Sequence, residues 1–232
     1  MSTVNEATEV GSERLDEIIK TAAILFDRHG FHETSMDDIA REVGLKKPTL
    51  YHYVESKAEV VHLIHSRLQK EYMRRLELRM EFGVPPSQNL LEVMYDIYDI
   101  METYPGHLRV YFENHRNLPE EYQTSARNER DRYFAAVESV IVEGMRRGEL
   151  RQTDTRLTTL ALFGIANWSY QWYRPGDPSR ARDVAYHMWN LFMRGVASAD
   201  WKEEGFSSRP DRGAIVPDAP AIDRLRQVGT GQ

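Results

Sequence analysis

From Leu15 to about residue 199, apolar residues recur at spacings of three and four, and the pattern breaks only where glycine or proline falls. That spacing puts an apolar stripe on one face of a helix, and it leaves no stretch for the two-residue alternation of a half-buried strand. The first stripe is Leu15, Ile18, Ile19, Ala22 and Phe26, ending at "HGF", where Gly30 suits a C-terminal cap. "SMDD" opens the second helix: Ser35 offers an acceptor to the first turn, Asp38 answers three residues on, and Met36, Ile39, Ala40 and Val43 form the apolar face. The third runs through "KKPTLYHY", with Pro48 tolerable in the first turn because its missing N–H has no helical partner there. A fourth, long helix opens at "SKAE", where Ser56 and Glu59 form a second capping box, and continues to about Phe82 before "GVPP" breaks it. Further helical patterns follow at 86–103, 106–115, 119–147, 154–173 and 178–199. The expected fold class is all-α: an N-terminal three-helix unit joined by a long helix to a larger helical body.

Composition narrows the function classes. A chain of 232 residues with 41% apolar and 28% charged residues is long enough for one or two ordinary globular cores. It contains no cysteine, which excludes thiol catalysis, disulfide scaffolding and cysteine-ligated zinc. The first residues lack a basic stretch followed by an apolar one, and no apolar run is long enough to span a bilayer, so a cytoplasmic protein without a membrane partner is expected. Residues 1–11 and 201–232 are polar or rich in Gly, Pro and Ser, and read as flexible arms. Between them the chain divides into 12–60 and 61–200.

Two short helices separated by a tight Gly44 turn, the second polar on one side and anchored by Leu50 on the other, have the layout of a helix-turn-helix. The overall charge of −6 is no guide to this face, and even residues 12–60 hold 7 Lys and Arg against 10 Asp and Glu. The basic rim is confined to Gly44 to Lys57, where Lys46, Lys47 and Lys57 outnumber Glu55. The features "AAILFDRHGF", "TSMDDIAREVGL" and "LYHYVESKAEV" closely resemble the DNA-binding domain of the TetR family of transcriptional regulators. The resemblance places Lys47, Thr49, Tyr51 and His52 on the exposed side of the recognition helix, with Lys46 at its start and Lys57 at a backbone-contacting position. Thr34 and Ser35 would present hydroxyls and a helix N-terminus to a phosphate. The sequence departs from the usual family pattern at Asp37, where a phosphate-binding Arg is common, at Lys46, where a small capping residue is common, and at Pro48, where Gly is frequent.

The resemblance further implies a homodimer on a palindromic operator in double-stranded DNA, its two last long helices pairing with their copies. The stripes Leu157, Leu160, Ala161, Gly164, Ile165 and Trp168, and Val184, Met188, Leu191, Phe192 and Gly195, suit that role, and each also suits an internal core. The segment "NWSYQWYRPG", with Asn167, Trp168, Trp172 and Arg174, is similar to a signature of the subset that responds to acyl-CoA thioesters in fatty-acid and sterol breakdown. The resemblance thus implies a small-molecule inducer and no cofactor. Tyr95, Tyr98, Met101, Phe112 and Phe163 are candidates for an acyl tunnel, Tyr111 for the lining of a pocket, and Arg146, Arg147, Arg174, Trp168 and Trp172 for the nucleotide end. The same aromatics also fit plain core packing. The runner-up inducer is a neutral hydrophobic compound of the multidrug type. An enzyme would need a catalytic constellation. The best candidate, Glu59, His62 and His65, lacks the second Glu-x-x-His of a helical di-iron site and lacks a third zinc partner, and no phosphate-binding glycine loop is present.

Overall fold

The computed structural model describes residues 2–176 and 180–202, with side chains from residue 12 onward except that of residue 117. Helix α1 spans Ser2–His29, α2 Met36–Glu42, α3 Lys47–Tyr51 and α4 Lys57–Glu81. Helices α5 (Pro86–Thr103), α6 (His107–Asn114), α7 (Glu120–Arg146), α8 (Thr155–Asn167) and α9 (Ala181–Val196) follow, with 3-10 turns at His115–Asn117 and Trp168–Gln171. The chain is all-helical, and its described residues hold no strand. None of its described helices is long and apolar enough to cross a membrane.

Two segments differ from the sequence reading. The backbone of residues 2–11, expected as an unpatterned arm, continues α1. No proline interrupts it, and a helix backbone satisfies its own hydrogen bonds without a buried stripe, which is the only signal the periodicity registers. The segment expected as one helix over 154–173 is α-helical only to Asn167 and then tightens, with the Trp172 and Tyr173 amides both donating to the Ser169 carbonyl at 3.1 and 2.8 Å. A 3-10 turn is a common way to end a helix, and Pro175 forbids continuation soon after. The tail expected over 201–232 lies, from residue 203, outside the described residues.

The chain forms two compact units. One comprises Met1–Lys70, Asp99–Tyr133 and Asn167–Asp177, the other Glu71–Tyr98, Phe134–Ala166 and Pro178–Gln232. This division differs from the expected boundary at residue 60, because α6 packs on α1 and joins the helix-turn-helix core. The first unit is built on Ile18, Ala22, Phe26, Ile39, Leu50 and Ile64, all buried. Gly106 permits the α1–α6 approach: its φ is +83°, and a Cβ there would lie 2.7 Å from the Asp27 Cβ.

The second unit centres on Trp189, Tyr98, Leu90, Met94, Ile97 and Ile141. The Trp189 indole N–H donates to the Ser87 carbonyl at 3.0 Å, which satisfies the one polar atom of a fully buried ring. Arg79, also buried, donates to Asp96 at 2.7 Å and to Asn89 at 3.0 Å, while Arg75 donates to the other Asp96 oxygen at 2.9 Å. An antiparallel bridge between Leu150 and Ala197 ties the approach to α8 to the end of α9.

Candidate DNA-reading surface and ligand cavity

The α2–α3 pair is fixed by local chemistry before it is fixed by packing. The Asp38 amide donates to the Ser35 hydroxyl at 3.1 Å, and the Ser35 amide donates back to the Asp38 carboxylate at 3.0 Å, so the expected capping box is formed. These bonds, the Ser35 hydroxyl first, and Arg41 hold the Asp38 carboxyl down at about 2. After Gly44 (φ +65°), the Leu45 amide donates to the Ala40 carbonyl at 2.8 Å and turns the chain into α3. Leu50, fully buried, anchors α3, while Lys46, Lys47, Tyr51 and His52 stay exposed and Thr49 half-buried on its outer side.

The structure redistributes the phosphate-facing roles. Lys47 Nζ donates to Asp37 Oδ2 at 2.9 Å, and this bond raises the lysine's pKa, so the one acid that departs from the family pattern is paired with a recognition-helix cation. Nothing in the periodicity signals that pairing across ten residues. Thr34 is a correction: it is buried, and its hydroxyl donates to the Gly30 and Leu25 carbonyls at 2.9 and 3.3 Å, where no phosphate reaches it. Lys57 is another. Its ammonium lies over the Phe31 ring and donates to the carbonyls of Phe31, Thr34 and His32 at 2.6, 2.7 and 3.2 Å, which uses its three protons to brace the α1–α2 connection. Ser35 remains exposed at the α2 N-terminus.

A cavity of about 450 Å³ lies within the first unit, among Met101, Tyr104, Leu108, Arg109, Tyr173 and Arg174. Arg109 dominates one wall: it pairs with Asp27 at 3.1 Å and Glu113 at 3.5 Å, donates to the Tyr170 carbonyl at 2.8 Å, and sits over the Tyr170 ring. The Tyr173 hydroxyl donates to Glu102, and Arg174, exposed at the rim, donates to the Tyr173 carbonyl at 3.1 Å.

Of the expected ligand residues, only Met101 of the tunnel set and Arg174 of the nucleotide end meet here. Phe112 stacks on Tyr170 at 5.1 Å. Trp168 and Trp172 are exposed and do not line the cavity, and Asn167 is half-buried at the end of α8. Tyr95, Tyr98 and Phe163 belong to the other unit: Tyr98 is fully buried in its core, Tyr95 lies under Arg182, and Phe163 sits beside Phe134. Arg146 and Arg147 are both taken up by Glu143 at 2.6 and 2.7 Å. The sequence reading missed Arg109, Tyr170 and Tyr173. The two tyrosines lie inside the quoted aromatic motif, whereas Arg109 carried no signal.

A family model of bacterial regulatory proteins of the tetR type matches residues 18–64, and one of tetracyclin repressor-like C-terminal domains matches residues 83–196. The chain belongs to the TetR family of transcriptional regulators. It is 22% identical over 192 residues to the HTH-type transcriptional repressor KstR2 of Mycolicibacterium smegmatis, covering 81% of this chain and 93% of that one. Among solved structures, the TetR family regulator PfmR from Thermus thermophilus is 28% identical with a TM-score of 0.71, covering 76% and 97% of the two chains. AibR, in complex with isovaleryl coenzyme A and operator DNA, is 21% identical with a TM-score of 0.67, covering 77% and 97%.

In this TetR-family chain, α8 and α9 leave an apolar face uncovered: Leu157 is 63% exposed, Leu191 54% and Leu160 49%. Ala161 and Gly164 are exposed beside them, and Val184 and Met188 are half-buried. Phe192 is a correction, since it is buried together with Trp189 and Ala185 in the protomer's own core. The histidines of α4 pack against aromatic rings. The Glu59 carboxylate accepts the Glu55 amide, His62 stacks on Tyr122 at 4.6 Å, and His65 stacks on Tyr111 at 4.0 Å. Burial, then the nearby Arg130 charge, pushes His65 down to about 3. Among the described residues no three metal-ligating side chains converge.

Proposed function

We propose that the chain is a homodimeric repressor that binds a palindromic operator through α3 and is released by an acyl-CoA. The observation that carries the ligand-responsive reading is Arg109, which borders the cavity and holds Asp27 of α1 at 3.1 Å. A ligand that draws Arg109 away from Asp27 changes the support of the first helix of the DNA-binding unit. Release then requires tighter binding to the DNA-incompetent state than to the competent one. The uncovered leucines of α8 and α9 supply a face for a second copy, and two copies supply the two recognition helices that a palindrome needs.

The acyl-CoA reading is supported by cavity chemistry and by relatives. Met101 and Leu108 offer apolar wall for an acyl group, and the exposed Arg174 at the rim offers a cation to phosphates outside it. AibR was crystallised with isovaleryl coenzyme A. A neutral hydrophobic inducer would use the same wall and gain nothing from Arg174.

Operator release, measured by gel shift at a fixed, stated salt concentration, separates the two. We expect an acyl-CoA to release the operator at concentrations where its free acid and CoA alone do not, and Arg174→Ala to raise the concentration required. Equal release by the free acid, with no effect of Arg174→Ala, would instead establish the neutral-ligand reading.

A further inference from the structure

A second cavity, of about 180 Å³, shares no lining residue with the first. Its wall combines Tyr111 of α6, His115 and Arg116 of the following 3-10 turn, and Gln123, Arg127 and Arg130 of α7, all within one compact unit. Three guanidinium groups from two elements therefore converge on one small concave space. Among the described residues neither Arg116 nor Arg127 has an ion pair, and Arg130 has only its chain neighbour Asp131, at 3.8 Å.

The half-buried Glu129, next to Arg130 in the chain, is engaged on the other side. Glu129 accepts the Ser66 hydroxyl at 2.8 Å and turns its other oxygen toward His65 at 3.4 Å. The floor is rigid: Tyr111 is buried, His65 stacks on its ring, and Arg130 reaches the Tyr111 hydroxyl. Isolated arginines on a convex surface are solvated and need no partner. Here three exposed arginines line one hollow and, among the described residues, only Arg130 has an ion pair, the 3.8 Å contact with Asp131, so an anion among them relieves their mutual repulsion.

We propose that this hollow is an oxyanion-binding site, taking a phosphate or carboxylate group on Arg116, Arg127 and Arg130. The space corresponds to about six water molecules, which suits a compact anionic group and is below the range of a drug-sized ligand. Occupancy bridges α7 to the turn after α6. The inference goes beyond the inducer reading, since it needs neither the first cavity nor an acyl chain.

The test is thermal unfolding of the full chain in low-millimolar inorganic phosphate against potassium chloride of equal ionic strength. The parent is compared with a variant carrying Arg116→Gln and Arg127→Gln, both exposed positions that tolerate the change. We expect phosphate to raise the parent's Tm by about 3 °C at ten times its dissociation constant, and the double variant to show no rise. CoA and 3′-dephospho-CoA as further arms distinguish the source. A rise at much lower CoA concentration, weakened by loss of the 3′-phosphate, assigns the site to one end of a larger ligand. Equal potency of phosphate and CoA assigns it to a free anion. No phosphate-specific rise in the parent, or an equal rise in the double variant, would overturn the proposal.

Discussion

At the scale of single residues, the DNA-facing rim depends on how each cation uses its donors. Lys57 and Thr34 direct theirs inside the fold, whereas Lys46, Tyr51 and His52 keep theirs outward and Lys47 shares one with Asp37. The Lys47 to Asp37 pair is exposed on both sides, so it adds little to stability, but it masks one positive charge at the face meant for DNA. Asp37→Asn should therefore strengthen operator and non-specific binding alike and steepen the slope of log affinity against log salt by about 1. Lys47→Ala should do the reverse, and Tyr51→Ala should weaken operator binding while the oligomeric state stays unchanged. Binding isotherms at four or five salt concentrations decide this, and an unchanged slope for Asp37→Asn would remove the pair from the interface. The capping box of Ser35 and Asp38 was legible in sequence because both partners lie within one turn. The fates of Thr34 and Lys57 were not, because their acceptors belong to the end of α1 and the turn that follows it.

Elements explain why two stripes that look alike in sequence behave differently. Along α9, Ala185, Trp189, Phe192 and Met193 face the unit's own core, while Leu191 faces out. On α8, Leu162 and Ala166 face in, while Leu157, Leu160, Ala161 and Gly164 face out. Spacing marks each helix as amphipathic but cannot say which of two adjacent stripes the protomer's own core covers. Phe192 was for that reason assigned to the wrong one. Large apolar side chains left uncovered on α8 and α9 suit the association face proposed above. Leu157→Glu combined with Leu191→Glu should convert the proposed dimer to a monomer in sedimentation at micromolar concentration, with helix content by circular dichroism unchanged. A dimer that persists would locate the interface elsewhere. The switch from α-helix to a 3-10 turn after Asn167 is an element-scale event too, and it carries Tyr170 and Tyr173 to the cavity while leaving Trp168 outside.

For the molecule as a whole, pH sensitivity follows from two buried imidazoles. Burial, chiefly, holds His107 down at about 4 and His65 at about 3, so both are neutral in the folded chain near neutrality. An unfolded chain protonates its histidines near pH 6.5. As pH falls below that value, the unfolded state takes up protons that the folded state refuses, and stability declines until each folded-state value is passed. The loss is on the order of 1 kcal/mol per pH unit for each group. Urea unfolding at pH 7 and pH 5 should show a smaller loss for His107→Gln and for His65→Gln than for the parent, and an equal loss in all three would rule out both histidines as the cause. The helical class, the order of helices, the Ser35 and Asp38 capping box and the family could all be read along the chain, because periodicity, capping and turn residues act within a few positions. Folding in three dimensions was needed to bring residues 27, 101–113 and 170–175 around one cavity, to set Arg109 on its border holding α1, and to bury Tyr98 and Tyr95 within the other unit. Those outcomes depend on which distant groups come within hydrogen-bonding reach, and no local spacing carries that information.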